Sequence, residues 1–545
     1  MSSHPTSMWR RSPNKLRQGE VWLECFCVTS LFLAALILFL VNLGDLPLID
    51  WNEGVVAQVA KEIYQDQGTS SSWIFPTLGG KPYLEQPPLV HNLIAIAYQL
   101  GGISELTTRL PGAILTAISV LLVYQVGREI FVARFPALFS ALIYLTCLPV
   151  IRLGRLAMLD GPLLCFEILA ILAILRSRRD LRWALVAGIG FGLIGLSKGI
   201  ISLQILAISL VFLFWDTPRL ISSAYLWVGI SLGVAPWVAW CAAQWFHYHE
   251  LKTTTEFIRL FIGSTRLTES GFKQAVWYYL LLWLQYFLPW FMVMISGLKL
   301  ASRNFHWGWG KLLVLWSGFY LAMVLLLINY KYSSYVLPVY PALALAAGAE
   351  LDLIRNLPSY VKYPRVWIFG FALMAVLAGF AGLHWGLSNY VDFYLPFIFG
   401  SLSITFGATA VAIAQQERQF IPLLFWGLYV SLFLFVISPH WIWELKTVEP
   451  VKPIAALIQK HVPKNAVVYT SMADRPTLNF YSDRQVASEK LSQLKAHWSQ
   501  NSAIYLLIDR DTAKQLDLPQ DAIIEDSNFK SLNWILAAKK TQLPD

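Results

Sequence analysis

Long apolar runs alternate with short polar segments between residues 21 and 440 of the chain. Many of these runs approach the roughly 20 residues that a helix needs to cross the hydrocarbon core of a bilayer. The pattern predicts thirteen membrane-spanning helices, at about 21–43, 107–127, 135–152, 161–176, 183–198, 200–215, 221–245, 276–297, 311–329, 335–354, 366–386, 393–414 and 420–440. The chain is therefore predicted to be a polytopic α-helical membrane protein, in which residues 1–20 form a basic cytoplasmic N-terminus.

The polar segment 44–106, between the first two predicted spans, is too long to be a simple connection. Apolar residues recur there at helical spacing from Asn52 onward, and Leu89–Leu100 forms a second, more apolar helical pattern after Pro87-Pro88. Both helices are predicted to lie along the membrane surface rather than to cross it.

After Glu449-Pro450 the sequence changes to that of a soluble domain. Short apolar stretches predict strands at 466–470, 503–508 and 533–537, and helical patterns cover 451–461, 475–482 and 488–498. Because predicted strands and helices alternate, residues 441–545 are expected to form a small α/β domain with a partly parallel sheet.

A composition of 56% hydrophobic and only 14% charged residues excludes an ordinary soluble protein. The formal net charge of +9 would suit a nucleic-acid-binding protein if Lys and Arg formed a continuous basic stripe. They fall instead in the short loops between the predicted spans, as membrane orientation requires. We therefore exclude nucleic acid as a partner and expect membrane lipids.

The basic loops also predict the orientation of the chain. With the N-terminus in the cytoplasm, every inner loop is basic; these loops contain Arg128 and Arg134, Arg176 to Arg182, Arg219, Lys299 to Lys311, Arg355 to Arg365, and Arg418. The outer side then receives segment 44–106 and, because the number of predicted spans is odd, residues 441–545. The chain is predicted to be an integral protein of a bacterial plasma membrane, with its active site and C-terminal domain outside the cytoplasm.

Four carboxylates are predicted near the ends of spans on the outer side: Asp50, Glu53, Glu85 and Asp160. Charged groups beside a membrane span are costly to desolvate, which suggests a function. One of them could deprotonate an attacking hydroxyl, and several together could hold a divalent cation. The structural alternative is that Asp50 or Asn52 caps the following helix, that Asp160 caps another, and that a helix dipole favours Glu53. This alternative leaves Glu85 unexplained.

Basic residues on the same side form a second set, which includes Lys198, Arg266 and Lys331. Lys198 lies between two apolar spans, so its ammonium needs an anionic partner, and a lipid phosphate would serve. The alternative is a lysine that ends a span and extends its ammonium towards water. Lys331 lies in a comparable setting, shortly before Tyr335.

Seven short motifs occur in an order that resembles the glycosyltransferase family 39 type of membrane enzyme, over roughly residues 20–350. They are Trp51-Asn-Glu-Gly54, Gly80-Lys-Pro-Tyr-Leu-Glu-Gln-Pro-Pro-Leu89, Arg109-Leu-Pro-Gly112, Ala157-Met-Leu-Asp160, Ser197-Lys-Gly199, Trp277-Tyr-Tyr279 with Leu288-Pro-Trp290, and Lys331-Tyr-Ser-Ser-Tyr-Val-Leu-Pro338. This group includes protein O-mannosyltransferases and bacterial transferases that add 4-amino-4-deoxy-arabinose to lipid A. The resemblance implies a GT-C-type fold with residues 21–440 as the transmembrane domain, a polyprenyl-monophosphate sugar donor, and a lipid, glycan or protein acceptor.

The resemblance also implies roles for individual residues. Glu53 matches the second acid of the family's Asp-Glu pair, whose first acid is replaced here by Asn52. Because an amide cannot usefully accept a proton at neutral pH, Asp50 or Glu53 is expected to act as the base. Asp160 is expected to be a further catalytic acid. The expected substrate-binding residues are Glu85, Lys198, Arg266, Lys331 and Tyr335, and a divalent metal of unknown identity is expected, if one is used, on Glu85 and Asp160.

These features predict transfer of a sugar in a single displacement with inversion at the anomeric carbon. The main rival is a transporter or flippase of lipid-linked sugars, which would need polar groups deep within its spans and often has repeated halves. A scaffold that only displays the C-terminal domain would leave the outer acids and Lys198 unexplained.

Overall fold

A computed structural model of the protein describes residues 18–66, 71–199, 201–249, 285–326, 333–358, 361–387, 392–446, 450–500, 504–519, 522–524 and 534–539. The helices within these ranges are α1 (Gln18–Leu40), α2 (Asn52–Gln65), α3 (Leu89–Gly101), α4 (Glu105–Ile130), α5 (Arg134–Leu145), α6 (Leu148–Arg155), α7 (Asp160–Ser177), α8 (Trp183–Lys198), α9 (Ile201–Asp216), α10 (Ala224–Tyr248), α11 (Phe291–Arg303), α12 (Gly308–Leu326), α13 (Tyr340–Arg355), α14 (Arg365–Leu387), α15 (Tyr394–Ala414), α16 (Phe420–Ile437), α17 (Val451–His461), α18 (Pro476–Ser482), α19 (Leu491–Gln500) and α20 (Arg510–Gln515). The strands are β1 (Thr77–Leu78), β2 (Lys81–Pro82), β3 (Val467–Thr470), β4 (Gln485–Ser488), β5 (Ile504–Asp509), β6 (Ile523–Ile524) and β7 (Trp534–Lys539).

The apolar runs form helices, and many of these are long enough to cross a bilayer. Within the described ranges, seven helical segments have the length and composition of a span. They are α1, α4, α10, α14, α15, α16, and α13 extended by the end of the preceding 3₁₀ helix to Val336–Arg355. The bent pair α5–α6 would add an eighth, and α3, α8 and α9 are shorter apolar helices. Part of the predicted span at 276–297 lies outside the described residues. The protein is therefore an integral membrane protein, and the number thirteen stays a prediction.

One predicted span, at 135–152, is not a continuous helix. The chain bends by 57° between α5 and α6. Pro149 lies at the start of α6, after α5 has ended at Leu145. Proline has no backbone N–H, and its ring disfavours the helical conformation for the residue before it, so one helix cannot easily continue through this point. The prediction of a single helix is wrong here because it counted hydrophobicity and gave no weight to the proline.

The described chain divides into two compact units. We call them the membrane unit (within Met1–Leu43, Leu84–Val90 and Leu110–Trp441) and the head unit (within Gly44–Tyr83, His91–Arg109 and Ile442–Asp545). Most of the predicted outer segment thus belongs to the same unit as the C-terminal domain, although hundreds of residues separate them in sequence.

The head unit contains a five-stranded sheet of order β4-β3-β5-β7-β6. β3 pairs in parallel with both β4 and β5, whereas β5 and β7 are antiparallel, so the predicted mixed α/β character is confirmed. Neighbouring residues of a strand point to opposite faces. Leu507 of β5 accordingly packs with Ile458 of α17, and Leu506 packs with Leu494 of α19. Strand β4 was not predicted, because its sequence Gln485–Ser488 is short and only partly apolar.

The two helices predicted in the outer segment are confirmed as α2 and α3. Val56, Val59, Ala60 and Ile63 of α2 are buried, as their spacing along one helical face predicts. This buried face fixes α2 within the head unit and thereby fixes the turn that precedes it.

Candidate active site

The turn formed by Asp50, Trp51 and Asn52 leads directly into α2. The backbone N–H of Asn52 donates to the carbonyl of Asp50 at 2.7 Å, which closes a three-residue γ-turn. Trp51 has φ 63° and ψ −59°, a conformation that is rare and strained for a residue other than glycine. Its side chain is 56% exposed. Backbone strain of this kind persists only where surrounding contacts impose it, and it is concentrated at functional sites.

On one side the turn is held by an ion pair between Glu53 and Arg109, both of which are fully buried. The Arg109 guanidinium donates from Nε to Oε1 and from Nη2 to Oε2 of Glu53, each at 2.7 Å. The same guanidinium donates to the carbonyls of Leu46 and Pro47 at 2.7 and 2.9 Å. The backbone N–H of Ile49 also donates to Glu53, at 3.0 Å. Both carboxylate oxygens of Glu53 are therefore engaged in fixing the chain that leads to the turn.

On the other side the turn is held by the C-terminal domain, through Asp50. Arg475 donates from Nε to Oδ2 of Asp50 at 2.7 Å, and the hydroxyl of Thr477 donates to Oδ1. Burial raises the pKa of the neighbouring Asp474, with Lys81 opposing the rise and Asp50 adding to it. Asp50 keeps a small exposed surface, unlike Glu53. A carboxylate has about four lone-pair sites, so Asp50 can accept a further hydrogen bond from a substrate.

Gly54 permits the close approach of α2 to the beginning of α18. A β-carbon at this position would lie 2.7 Å from Cγ2 of Thr477 and 3.0 Å from its backbone nitrogen. A contact of 2.7 Å is too short to be tolerated, so the Thr477 side chain or the chain around it would have to shift. Glycine avoids this clash beside the hydrogen bond between Thr477 and Asp50.

Further along, α2 is anchored to α18 by Lys61. Its ammonium donates to the carbonyl of Phe480 at 2.8 Å and lies 2.7 Å from Oδ1 of Asp483. The hydrogen bond from Lys61 lowers the pKa of Asp483. Tyr481 adds another link, because its hydroxyl accepts from the N–H of Leu48 at 2.8 Å. The turn is therefore one end of a continuous interface between α2 and the C-terminal domain.

The membrane unit contains a second charged pair, Asp160 and Lys198. Asp160 begins α7, Lys198 ends α8, and the ammonium donates to Oδ1 of the carboxylate. Asp160 is buried and Lys198 is mostly buried. The sequence predicted that Lys198 needs an anionic partner, and the structure provides one from the protein itself.

The helix before Asp160 is fixed by Arg155, a fully buried cation. Its guanidinium donates to the carbonyls of Leu38 and Val41, at 2.5 and 2.7 Å, at the C-terminal end of α1. It also lies over the indole of Trp441, at 4.5 Å from the ring centre. An arginine that satisfies helix carbonyls and stacks on an aromatic ring holds α6, and with it the start of α7, in one position.

The other predicted site residues are less fully placed. Glu85 is exposed, in the segment between β2 and α3. Arg266 and Lys331 lie outside the described residues. Tyr335 lies in the 3₁₀ helix Ser333–Val339, and its side chain is not among the described ones.

The divalent metal that the sequence analysis allows on Glu85 and Asp160 stays a prediction. Among the residues that the structure describes, no three His, Cys, Asp or Glu side chains gather closely enough to hold a metal ion. Asp160 is bonded to Lys198, and Glu85 is exposed at the surface. We therefore derive no step that passes through a metal.

Three residues of the turn's surroundings were not predicted as functional: Arg109, Arg475 and Thr477. Arg109 belongs to the Arg109-Leu-Pro-Gly112 motif, so the sequence did indicate that this arginine could be functional. Its pairing with the buried Glu53 could not be predicted from the sequence alone. Arg475 and Thr477 lie more than 420 residues after Asp50, and no local pattern singles them out.

Comparison with known proteins supports a relation to sugar transferases. A family model described as dolichyl-phosphate-mannose-protein mannosyltransferase matches residues 85–241. An undecaprenyl phosphate-alpha-4-amino-4-deoxy-L-arabinose arabinosyl transferase of Erwinia tasmaniensis is 26% identical over 342 residues, covering 60% of this chain and 61% of that protein. The protein of the same name from Aeromonas salmonicida is 26% identical over 368 residues, covering 63% and 64%. The match thus spans about three fifths of the length of these curated relatives.

Solved structures show the same fold over almost the whole chain. ArnT from Cupriavidus metallidurans, crystallised with undecaprenyl phosphate, has a TM-score of 0.73 at 17% identity, covering 94% of this chain and 98% of that one. The archaeal oligosaccharyltransferase AglB from Archaeoglobus fulgidus, in complex with an inhibitory peptide and a dolichol-phosphate, has a TM-score of 0.51 at 12% identity, covering 90% and 70%.

The chain is a polytopic membrane protein with a GT-C-type fold. The chain is similar in sequence to bacterial 4-amino-4-deoxy-arabinose transferases, and the resemblance to the family 39 type that its motifs indicated is confirmed.

Proposed function

We propose that this protein is a membrane glycosyltransferase that moves a sugar from a polyprenyl-monophosphate donor to an acceptor on the non-cytoplasmic face. The acceptor is a lipid, glycan or protein that offers a hydroxyl or phosphate oxygen. The observation that carries the proposal is the strained turn at Trp51, whose flanking carboxylates are fixed by Arg475 and Arg109. The names of the relatives and the shared fold support a lipid-phosphate donor.

The turn suggests how the acceptor is handled. Glu53 is fully buried and both of its oxygens are bonded, so we assign it to positioning. Asp50 retains exposed surface beside the exposed Asn52 and Trp51, so it is the carboxylate that an acceptor can reach. We propose that Asp50 orients the acceptor and, where the acceptor is a hydroxyl, takes its proton as the C–O bond forms.

Lys198 and Asp160 suggest how the leaving group is handled. As the sugar departs with inversion, the bond between the anomeric carbon and the donor phosphate breaks, and negative charge grows on the phosphate. A fixed cation that contacts the phosphate lowers the activation barrier of the transfer, because the cation is already oriented before the charge develops. We propose that Lys198 supplies this charge and that Asp160 keeps its ammonium in position. The predicted contribution of Arg266 and Lys331 to the same task stays a proposal from the resemblance.

We further propose the orientation predicted from the basic loops, with the N-terminus in the cytoplasm and the head unit outside the inner membrane. In this orientation the turn at Trp51 faces the compartment in which lipid-linked sugars are transferred to envelope acceptors.

The test is sugar transfer by purified protein in proteoliposomes, with radiolabelled undecaprenyl-phosphate sugars and a membrane extract as acceptor. Asp50→Asn is expected to lower kcat by about 100-fold or more, because general-base groups contribute about 100- to 10,000-fold. Asp45→Asn is the matched control, since Asp45 is an exposed carboxylate five residues earlier. Equal activity of Asp50→Asn and wild type would refute the assignment of Asp50. Donor movement across the bilayer without transfer would instead support a transporter.

A further inference from the structure

The membrane unit contains a large apolar groove that the proposed reaction does not use. Its cavity volume is about 960 Å³, and it lies among α1, α5 and α16. Binding sites for organic ligands typically have volumes of roughly 300–1,000 Å³, so this groove is large enough for a sizeable molecule. Its walls are almost entirely hydrocarbon, with Phe139 and Phe425 stacked at 5.9 Å on one side.

The groove has the length of one bilayer leaflet. The residues of α1 that line it run from Phe26 to Ile37. At 1.5 Å per residue this stretch is roughly 16 Å long, close to half of the ~30 Å hydrocarbon core. On α5 the lining runs similarly from Phe135 to Thr146, the residue that follows the end of α5 at Leu145. On α5 and α16 the lining begins at the loop end of the helix, next to Arg418, whereas on α1 it begins eight residues after Gln18. The depth of the groove thus corresponds to about half of the hydrocarbon core.

The loop end of the groove is positively charged. Two arginines line it there, Arg355 at the end of α13 and Arg418 just before α16. Arg355 lies flat on Phe135, with Cζ 3.4 Å from the ring centre, and is 3.6 Å from the buried Asp352. Arg418 is exposed and donates from Nη2 to the carbonyl of Leu357 at 3.2 Å. Each guanidinium has five N–H donors, so these contacts leave capacity for a ligand.

We propose that this groove is a binding site for an anionic phospholipid, with an acyl chain along α1 and the phosphate on Arg355 and Arg418. Arginine at the head-group level matches phosphate in both charge and geometry. Basic pockets between membrane helices on the cytoplasmic side are typical sites for anionic lipids. A polyprenyl phosphate is a poor match, because its chain is much longer than a groove that ends after one leaflet. The proposal is independent of the transferase function.

The first test measures lipid that stays bound to the purified protein. Three proteins are compared: wild type, Arg355→Gln/Arg418→Gln, and the control Lys362→Gln/Arg365→Gln. Each is reconstituted in a mixture of phosphatidylcholine and phosphatidylglycerol, and native mass spectrometry then identifies the lipid that remains bound. Lys362 and Arg365 are exposed cations of the same loop region that do not line the groove. We expect retained phosphatidylglycerol on wild type and on the control, and about tenfold less on the groove variant, as the loss of charge-assisted hydrogen bonds implies.

A second variant tests the apolar part of the site. Ser30 lines the groove and is exposed, so Ser30→Trp fills the groove without removing an arginine. We expect phosphatidylglycerol to raise the melting temperature of wild type above its value in phosphatidylcholine. We expect Ser30→Trp to lose both this increase and the bound phosphatidylglycerol. Equal retention of both lipids by every variant would overturn the proposal. So would a retained mass equal to undecaprenyl phosphate, or a dimer that disappears in Ser30→Trp.

Discussion

At the scale of single residues, the structure separates two carboxylates that sequence reasoning treated as alternatives. Asp50 and Glu53 were both candidates for the base, because Asn52 replaces the family's first acid. Glu53 is fully buried against Arg109, whereas Asp50 is partly accessible. The sequence could predict a functional role for this turn, because carboxylates beside a membrane span are costly to desolvate. It could not assign the roles, because each depends on an arginine supplied from elsewhere in the chain.

The buried pair leads to a prediction about stability. Glu53→Gln should destabilise the head unit by about 3–5 kcal/mol, because it leaves the buried Arg109 without a counter-charge. Thermal or denaturant unfolding of the detergent-solubilised protein measures this. The double variant Glu53→Gln/Arg109→Gln should lose less than the sum of the two single variants. Additive losses would show that the two side chains are not energetically coupled.

At the scale of elements, periodicity predicted the helices well, and local chemistry decided the exceptions. The buried stripe of α2 follows its apolar spacing, and the membrane helices follow their length. The bend between α5 and α6 depends on Pro149, and the close packing of α18 against α2 depends on Gly54. Each of these features depends on one residue, and hydrophobicity averaged over many residues does not reveal such an effect.

The contact at Gly54 predicts a rescue. Gly54→Ala should lower transfer activity and melting temperature, because the added β-carbon would meet Cγ2 of Thr477 at 2.7 Å. Thr477→Ser removes that methyl group and keeps the hydroxyl that binds Asp50. Gly54→Ala/Thr477→Ser should therefore recover part of the loss, and only part, since the backbone nitrogen of residue 477 is 3.0 Å away. A double variant worse than Gly54→Ala would contradict this geometry.

The interface between α2 and α18 should also depend on pH. Because Lys61 lowers the pKa of Asp483 in the folded protein, the pair contributes stability above the unfolded pKa of about 3.9. That contribution is lost as the pH falls through the lower, folded pKa. The difference in unfolding midpoint between wild type and Asp483→Asn should thus shrink below about pH 4. Asparagine suits the positive φ of 54° at this position. A difference that stays constant with pH would rule out the ion pair as its source.

At the scale of the whole molecule, the sequence predicted apolar membrane spans followed by a mixed α/β region near the C-terminus, and the structure has both features. It did not predict that most of segment 44–106 joins the C-terminal domain in one compact unit. The reason is physical: the bonds from Arg475 and Thr477 to Asp50 cross more than 420 residues, and periodicity carries only local information. The head unit could therefore be recognised only from the three-dimensional structure.

This long-range assembly predicts a distinct kinetic effect. Arg475→Gln should lower kcat by about 10- to 100-fold, since it removes a charge-assisted hydrogen bond to Asp50. KM for the donor should stay unchanged, and Arg475→Lys should recover part of kcat. The control is Arg510→Gln, an exposed arginine of the same unit. An activity loss that only follows the fraction of folded protein would assign Arg475 a structural role alone.

The strained turn at Trp51 also bears on biosynthesis. Translation makes Asp50 early, whereas its partners Arg475 and Thr477 emerge only near the end of this sequence. A nascent or prematurely terminated chain can insert its first helices and still lack the contacts that impose the turn. Such a chain would occupy the membrane without forming the proposed site. The proposed activity thus requires translation at least as far as Thr477.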